Sequence, residues 1–214
     1  MGDEQYRPWD MTVGDDGKVY EVSGAAYGKL GGAITAIDPQ TETMESWRYL
    51  AGDQNLFAVA PGHGEVYVGT TDHGDGIDAT GDAQLLAFDE ATHTVTYRTV
   101  PVPDSHWIVA LATAPDGTVF GSTGEGQWFT FDPATRTVTQ LGAFPLGVAL
   151  GLGVGPDGLI YGHTADSIFR IDPTTRQVER IAATTADTRY RTQAFDAQGR
   201  LYWGSGPDLM RMTP

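Results

Sequence analysis

The chain of 214 residues has no cysteine and only two lysines, Lys18 and Lys29. The absence of cysteine excludes disulfides, thiolate metal sites and cysteine nucleophiles. With 28 acidic residues, the formal net charge is −15. An acidic surface repels phosphate backbones and anionic lipids, so we expect neither nucleic acid nor a membrane among its partners.

Long apolar runs and helical periodicity are also missing. No segment has the length of a membrane span, and none repeats apolar residues at the spacing of an amphipathic helix. The acidic start, Met1 to Gln5, lacks the apolar core of a signal peptide, but a leader removed before it would leave the same start. The compartment stays open, with a secreted or periplasmic location favoured over the cytoplasm.

Local catalytic motifs are absent as well. The sequence contains no nucleophile elbow, no phosphate-binding Walker loop and no HExxH zinc motif. Short sequence motifs therefore indicate no enzyme class.

Glycine is abundant, with 28 residues, and it marks a repeat. A tight turn followed by a strand recurs five times, 41 to 53 residues apart. Each turn contains a glycine, because glycine takes the positive φ that such a hairpin needs. The turn glycines are Gly17, Gly64, Gly117, Gly158 and Gly199.

A second marker follows the first four copies. It is a strand that ends in an aspartate turn, at Asp38-Pro39, Asp89-Glu90, Asp132-Pro133 and Asp172-Pro173. One unit thus contains strand A, the glycine turn, strand B, a loop, strand C, the aspartate turn and strand D. Four strands in a period of about 40–50 residues are typical of a propeller blade. We predict one all-β domain over residues 1–214, a β-propeller of four-stranded antiparallel blades, five in number.

The two ends of the chain predict how the propeller closes. The last copy, residues 209–214, stops where strand D of its blade should begin. A spare segment, residues 3–7, precedes the first strand A. We expect this segment to pair as the outer strand of the last blade, because that removes an open sheet edge. The alternative is that the chain is part of a larger propeller or a tandem array.

One unit carries a resemblance to known families. Residues 151–161, which read Gly-Leu-Gly-Val-Gly-Pro-Asp-Gly-Leu-Ile-Tyr, and residues 168–173 resemble the blade repeats of streptogramin-lyase-like, NHL-like and PQQ-like propellers. The resemblance covers nearly the whole chain and implies the propeller fold. Streptogramin lyases are metal-assisted enzymes with seven blades and a Trp-Phe-Thr run after the glycine turn. This chain has Val-Tyr-Glu or Ile-Tyr-Gly at that position, so we assign no catalytic residue of the streptogramin lyases to this chain.

The fold itself predicts where a ligand binds. In propellers, ligands bind where the B–C and D–A loops meet at one mouth of the channel, an analogy at the level of the fold. Polar and aromatic residues break the repeat symmetry there, and we predict a ligand site formed by Trp9, Asp10, Asn55, His106, Trp107, Tyr190 and Arg191. The alternative is that the two tryptophans only fill gaps between blades.

Two further features are candidates for chemistry. The B–C loop of the second blade, residues 71–83, contains Asp72, Asp75 and Asp78, which offer oxygen ligands to Ca²⁺ but equally suit a solvated loop. No other cofactor is expected. His163 and His106 are the candidate catalytic residues, although His163 also fits a histidine buried in the core.

Three functions remain open at this stage. The first is a monomeric binding module for a small polar ligand or saccharide, because aromatic faces and planar polar groups recognise sugars. The second is a metal-assisted lyase or hydrolase. The third is a structural or protein-interaction repeat domain. Two converging imidazoles would favour the enzyme, and stacked aromatic side chains would favour the binding module.

Overall fold

The structure, a computed structural model, describes residues 4–184 and 193–213, and all regular structure in them is β. Within these described residues, nineteen strands form five antiparallel sheets. This is the organisation of a five-bladed β-propeller, as the glycine repeat predicted. The chain divides into two compact units, Met1–Ile108 and Val109–Pro214. That residues 1–214 act as one domain stays a prediction.

The first unit contains two four-stranded sheets. The first sheet consists of β1 (Gln5–Val13), β2 (Val19–Ala25), β3 (Ala33–Asp38) and β4 (Thr43–Arg48). The second sheet consists of β5 (Asn55–Pro61), β6 (Glu65–Thr71), β7 (Leu85–Asp89) and β8 (Thr94–Thr99). Within each sheet the strands are neighbours in sequence order, as hairpins require.

The second unit follows the same plan. The third sheet consists of β9 (Ile108–Thr113), β10 (Val119–Thr123), β11 (Gln127–Asp132) and β12 (Thr137–Ala143). The fourth consists of β13 (Gly151–Val154), β14 (Ile160–His163), β15 (Ser167–Ile171) and β16 (Val178–Ala183). The fifth consists of β17 (Gln193–Phe195), β18 (Leu201–Ser205) and β19 (Asp208–Met212), so the described residues give it three strands.

Both kinds of turn form as the repeat predicted. All five repeat glycines have positive φ, between 72° and 89°. At the aspartate turns the carboxylate accepts hydrogen bonds from backbone N–H groups two and three residues later, as Asp38 does from Gln40 at 2.8 Å and Thr41 at 3.2 Å. These donors lower the pKa of Asp38, because they stabilise the ionised carboxylate.

The prediction that residues 3–7 complete the last blade is wrong. Gln5 pairs with Ala25 and Arg7 with Gly24, so this segment lengthens β1 inside the first sheet. The physical reason is a buried side chain: Gln5 donates a hydrogen bond to the Gly31 carbonyl at 3.1 Å. Two register shifts in the β1–β2 pairing let β1 follow β2 along its full length.

Each unit has its own hydrophobic core. The strands in the middle of the first sheet, β2 and β3, are mostly buried, whereas outer strands such as β8 alternate between exposed and half-buried residues. In the first unit the core centres on Tyr20, Leu86 and Phe88, and Trp47 packs against it from β4. Each fully buried large side chain contributes about 1.5–3 kcal/mol. The core therefore holds the strands rigidly enough to position the loops between them.

Candidate functional site

The loops of the first unit gather at one end of its two sheets. Asn55 at the start of β5 pairs with Thr71 at the end of β6, just as Gln5 pairs with Ala25 in the first sheet. The starts of A strands and the ends of B strands therefore share one end, which we call the loop end. It consists of the start of β1 and the loops 26–32, 49–54, 72–84 and 100–107.

The longest of these loops, residues 72–84, is held from inside by one side chain. Gln54 is 2% exposed. Its Nε2 donates to the carbonyls of Gly81 and Asp82 at 3.0 Å each, and its Oε1 accepts from the Thr70 hydroxyl at 2.6 Å. A single glutamine thus fixes both the loop and the strand that precedes it.

Asn55 and Asp10, both predicted ligand-binding residues, tie backbone segments together. The Asn55 Oδ1 accepts from the Ala25 N–H at 2.9 Å, and its Nδ2 donates to the His73 carbonyl at 2.8 Å. Asp10 Oδ2 accepts from the Val59 N–H at 3.0 Å. The structure therefore gives both side chains a role in holding β1, β5 and the 72–84 loop in register.

Five rings form a continuous line across the loop end. Their centroids are 4.9 Å apart for Trp9 and Phe57, 5.3 Å for Phe57 and Trp107, 5.4 Å for Trp107 and His73, and 5.9 Å for His73 and His106. Phe57 is buried, the tryptophans are half-buried, and both histidines are exposed. We call this set the aromatic row. It brings together three predicted site residues, Trp9, Trp107 and His106.

Charged groups lie against the Trp9 end of the aromatic row. The Arg7 guanidinium lies 5.2 Å from the Trp9 ring centroid and 2.9 Å from Asp75 Oδ2. The Tyr6 hydroxyl donates to the same carboxylate at 2.5 Å. This hydrogen bond is the largest cause that raises the pKa of Tyr6.

A carboxylate lies between the two imidazoles at the other end of the row. The His106 Nδ1 lies 2.8 Å from Asp72 Oδ2, within hydrogen-bond distance, and His73 Nδ1 lies 3.6 Å from Asp72 Oδ1. The Asp72 side chain is only 13% exposed, whereas that of His106 is 60% exposed. The pair therefore joins a largely buried acid to a base that solvent reaches.

The three aspartates considered for calcium each have a different partner. Asp72 contacts His106, Asp75 contacts Arg7, and Asp78 accepts from the Gly74 N–H at 2.8 Å. In residues 4–184 and 193–213, no group of three or more histidine, aspartate or glutamate side chains has a geometry that could hold a metal ion.

The remaining predicted site residues belong to the second unit. His163 ends β14 and is 1% exposed, with Nδ1 3.2 Å from the Gln193 Oε1 and the ring against Gly151. This is the environment of the core histidine that the sequence left as an alternative. Tyr190 and Arg191 lie outside the described residues.

Sequence reasoning missed Arg7, Phe57 and His73 as members of this site. Residues 3–7, which include Arg7, were assigned to the last blade, and no motif in the sequence singled out Phe57 or His73. The glycine at position 24 is a sequence signal for the predicted residue Trp9 and not for these three, and the structure shows that a Cβ there would lie 2.7 Å from Trp9 Nε1. A glycine inside a strand marks a close approach, here by the indole of Trp9.

Comparison with known proteins supports the fold. No family model and no curated protein sequence matches the chain. Among solved structures, an extracellular domain of a provisionally assigned one-component system from B. thetaiotaomicron superposes with a TM-score of 0.66 at 14% identity over 99% of the chain. A provisionally assigned gluconolactonase gives 0.71 at 16% over 94%, and the Dos1 propeller gives 0.62 at 12% over 91%.

These similarities show that the chain has the β-propeller fold. Sequence identities of 12% to 16% support a shared fold and no shared function. The chain spans 28% of the extracellular domain, 72% of the gluconolactonase and 50% of the Dos1 propeller. Among the residues described, no helix is long and apolar enough to cross a membrane.

Proposed function

We propose that the loop end of the first unit binds a small polar ligand of the saccharide class. The observation that carries this proposal is the aromatic row, which has hydrogen-bonding groups at both ends. Sugars present apolar C–H faces to aromatic rings and hydroxyl groups to planar polar side chains. Trp107 is half-buried at the row, so its ring is partly available to such a face.

The polar groups around the row suit a neutral ligand. Arg7 and Asp75 neutralise each other, as Asp72 and His106 do when the imidazole is protonated. The net charge of −15 disfavours polyanions. A neutral ligand with many hydroxyls meets no such penalty, and its hydroxyls both donate to carboxylates and accept from guanidinium and imidazole N–H groups.

The structural neighbours are compatible with this proposal. The name gluconolactonase designates a sugar lactone as the substrate of that protein. The B. thetaiotaomicron neighbour is the extracellular domain of a provisionally assigned one-component system. Neither name assigns a ligand to this chain, but a protein named after a sugar derivative is compatible with a ligand of the saccharide class.

Replacing Trp107 with alanine is expected to weaken saccharide binding about tenfold or more, because the half-buried ring at the centre of the aromatic row is lost. Isothermal titration calorimetry against a panel of neutral mono- and disaccharides measures the effect. Tyr97→Ala is the matched control, since it removes a half-buried ring from β8 in the same unit. Equal affinity of Trp107→Ala and the parent protein would contradict the proposal, as would a parent that binds no member of the panel.

A further inference from the structure

The Asp72–His106 pair has a fixed proton arrangement. An ionised carboxylate only accepts hydrogen bonds, so the 2.8 Å contact between Asp72 Oδ2 and His106 Nδ1 places the imidazole proton on Nδ1. Nε2 then carries the lone pair and is the basic nitrogen. Asp72 thereby both orients the ring and stabilises the imidazolium that forms when Nε2 takes a proton.

Backbone contacts hold the pair in place. The Asp72 N–H donates to the His106 carbonyl at 3.1 Å, and Thr71 forms a β-bridge with Trp107. The Asp72 carbonyl accepts from the Ala79 N–H at 2.7 Å. The two residues are 34 positions apart in sequence, but the hydrogen bonds between their backbones fix their relative position.

The second carboxylate oxygen faces the other imidazole. Asp72 Oδ1 is buried and has no hydrogen-bond partner among the described residues, and His73 Nδ1 lies 3.6 Å away. A buried acceptor without a donor costs free energy, and a catalytic role is one of the reasons for which proteins retain such a group. A carboxylate between two imidazoles, beside a stacking tryptophan, is the arrangement that favours acid–base chemistry over binding alone.

We propose that His106, oriented by Asp72, hydrolyses O-acyl esters of saccharides bound at the aromatic row. This inference rests on the proposed function, because the same row holds the sugar. His106 Nε2 takes a proton from water while the water oxygen attacks the ester carbonyl carbon. The tetrahedral intermediate then collapses, the bond from carbonyl carbon to sugar oxygen breaks, and Nε2 returns the proton to the leaving sugar oxygen.

The chemistry of the site selects an ester over other saccharide bonds. Most glycoside hydrolases use two carboxylates that flank the bond. In the 72–84 loop, Asp72 is paired with His106 and Asp75 with Arg7, which leaves Asp78 and Asp82 as the carboxylates of that loop outside these two pairs. Elimination from a uronate needs an anionic substrate, which the net charge of −15 disfavours. An O-acetyl sugar is neutral, and its product acetate is repelled by the acidic protein, which aids release.

The test measures acetate release from O-acetylated monosaccharides in the presence of a chelator, after subtraction of the uncatalysed rate. His106→Gln is expected to lower kcat/KM about 100-fold or more, because the base is removed. Asp72→Asn is expected to lower kcat about tenfold or more with little change in KM, because a positioning residue acts on the transition state and not on sugar binding. His63→Gln is the matched control, an exposed histidine 3.9 Å from Asp15 at the opposite end of the strands, and it leaves the rate unchanged.

Binding of the unacetylated sugar, measured by calorimetry on the same samples, separates the two proposals. A parent protein that binds the sugar and releases no acetate overturns the hydrolysis inference and leaves the binding proposal standing. A parent that does neither overturns both. Turnover that depends on an added divalent cation, or that survives in His106→Gln, also overturns the role of His106. Loss of turnover in His106→Gln with sugar binding and melting temperature retained supports it.

Discussion

Replacing Gln54 with alanine is expected to lower the free energy of unfolding by about 3 kcal/mol and to abolish ligand binding. The side chain makes short hydrogen bonds to Thr70, Gly81 and Asp82 and is 2% exposed. Each such bond contributes roughly 1 kcal/mol, and a buried partner left unsatisfied costs more. The 72–84 loop carries Asp72 and His73, so its release separates the groups on which the site depends.

Gln84 provides the matched control for this prediction. Its side-chain Nε2 donates a hydrogen bond to the same Gln54 Oε1 at 3.3 Å, which is longer than the hydrogen bonds that Gln54 makes to Thr70, Gly81 and Asp82. Gln84→Ala is therefore expected to change stability by less than about 1 kcal/mol. Thermal unfolding gives the stability, and limited proteolysis reports whether the loop is released. If Gln54→Ala melts like the parent and its loop stays protected, the account of the loop is wrong.

Removing residues 1–8 is expected to lower the free energy of unfolding by about 4 kcal/mol, equivalent to a melting temperature roughly 8–16 °C lower. The deletion unpairs the end of β2, where Gln5 lies opposite Ala25, and removes the buried hydrogen bond from Gln5 to Gly31. It also removes Arg7 and with it the ion pair to Asp75 in the 72–84 loop.

A shorter deletion controls for the loss of the terminus itself. Removing residues 1–4 keeps β1 intact from Gln5 onwards. Among the contacts of the described residues, it removes the ion pairs of Glu4 with Lys29 and Arg48 and the hydrogen bond that the Glu4 carbonyl accepts from the Ala26 N–H at 2.6 Å. Such surface pairs contribute little to stability. Two deletions with the same small effect would show that the start of β1 is not held as the structure describes.

The number of blades was predictable because its signals are local. Each glycine turn and each aspartate turn is specified by two or three adjacent residues, and the structure confirms the geometry at positions such as Gly17 and Asp38. The end of the sheets at which Trp107 and His106 lie was predictable too, because antiparallel pairing places the starts of A strands beside the ends of B strands.

The remaining features depend on contacts between segments far apart in sequence. Residues 3–7 carry no local signal that distinguishes pairing with β2 from pairing with another blade. The contact between His106 and Asp72 joins positions 34 residues apart. His163 was a candidate base because the other four repeats have no histidine at the corresponding position of strand B. The folded structure shows that its side chain is buried, with 1% exposure, which the sequence does not reveal.

The central claim is that a saccharide stacks on the aromatic row, and the indole N–H region of a ¹H–¹⁵N spectrum tests it most directly. The protein has five tryptophans. Of these, Trp107 and Trp9 belong to the row, whereas Trp47, Trp128 and Trp203 pack in hydrophobic cores elsewhere. Titration with a sugar from the calorimetry panel is predicted to shift the Trp107 signal, assigned by its loss in Trp107→Phe, in a saturable manner. Saturable shifts confined to Trp47, Trp128 or Trp203, or no shift in any of the five signals, would contradict the account.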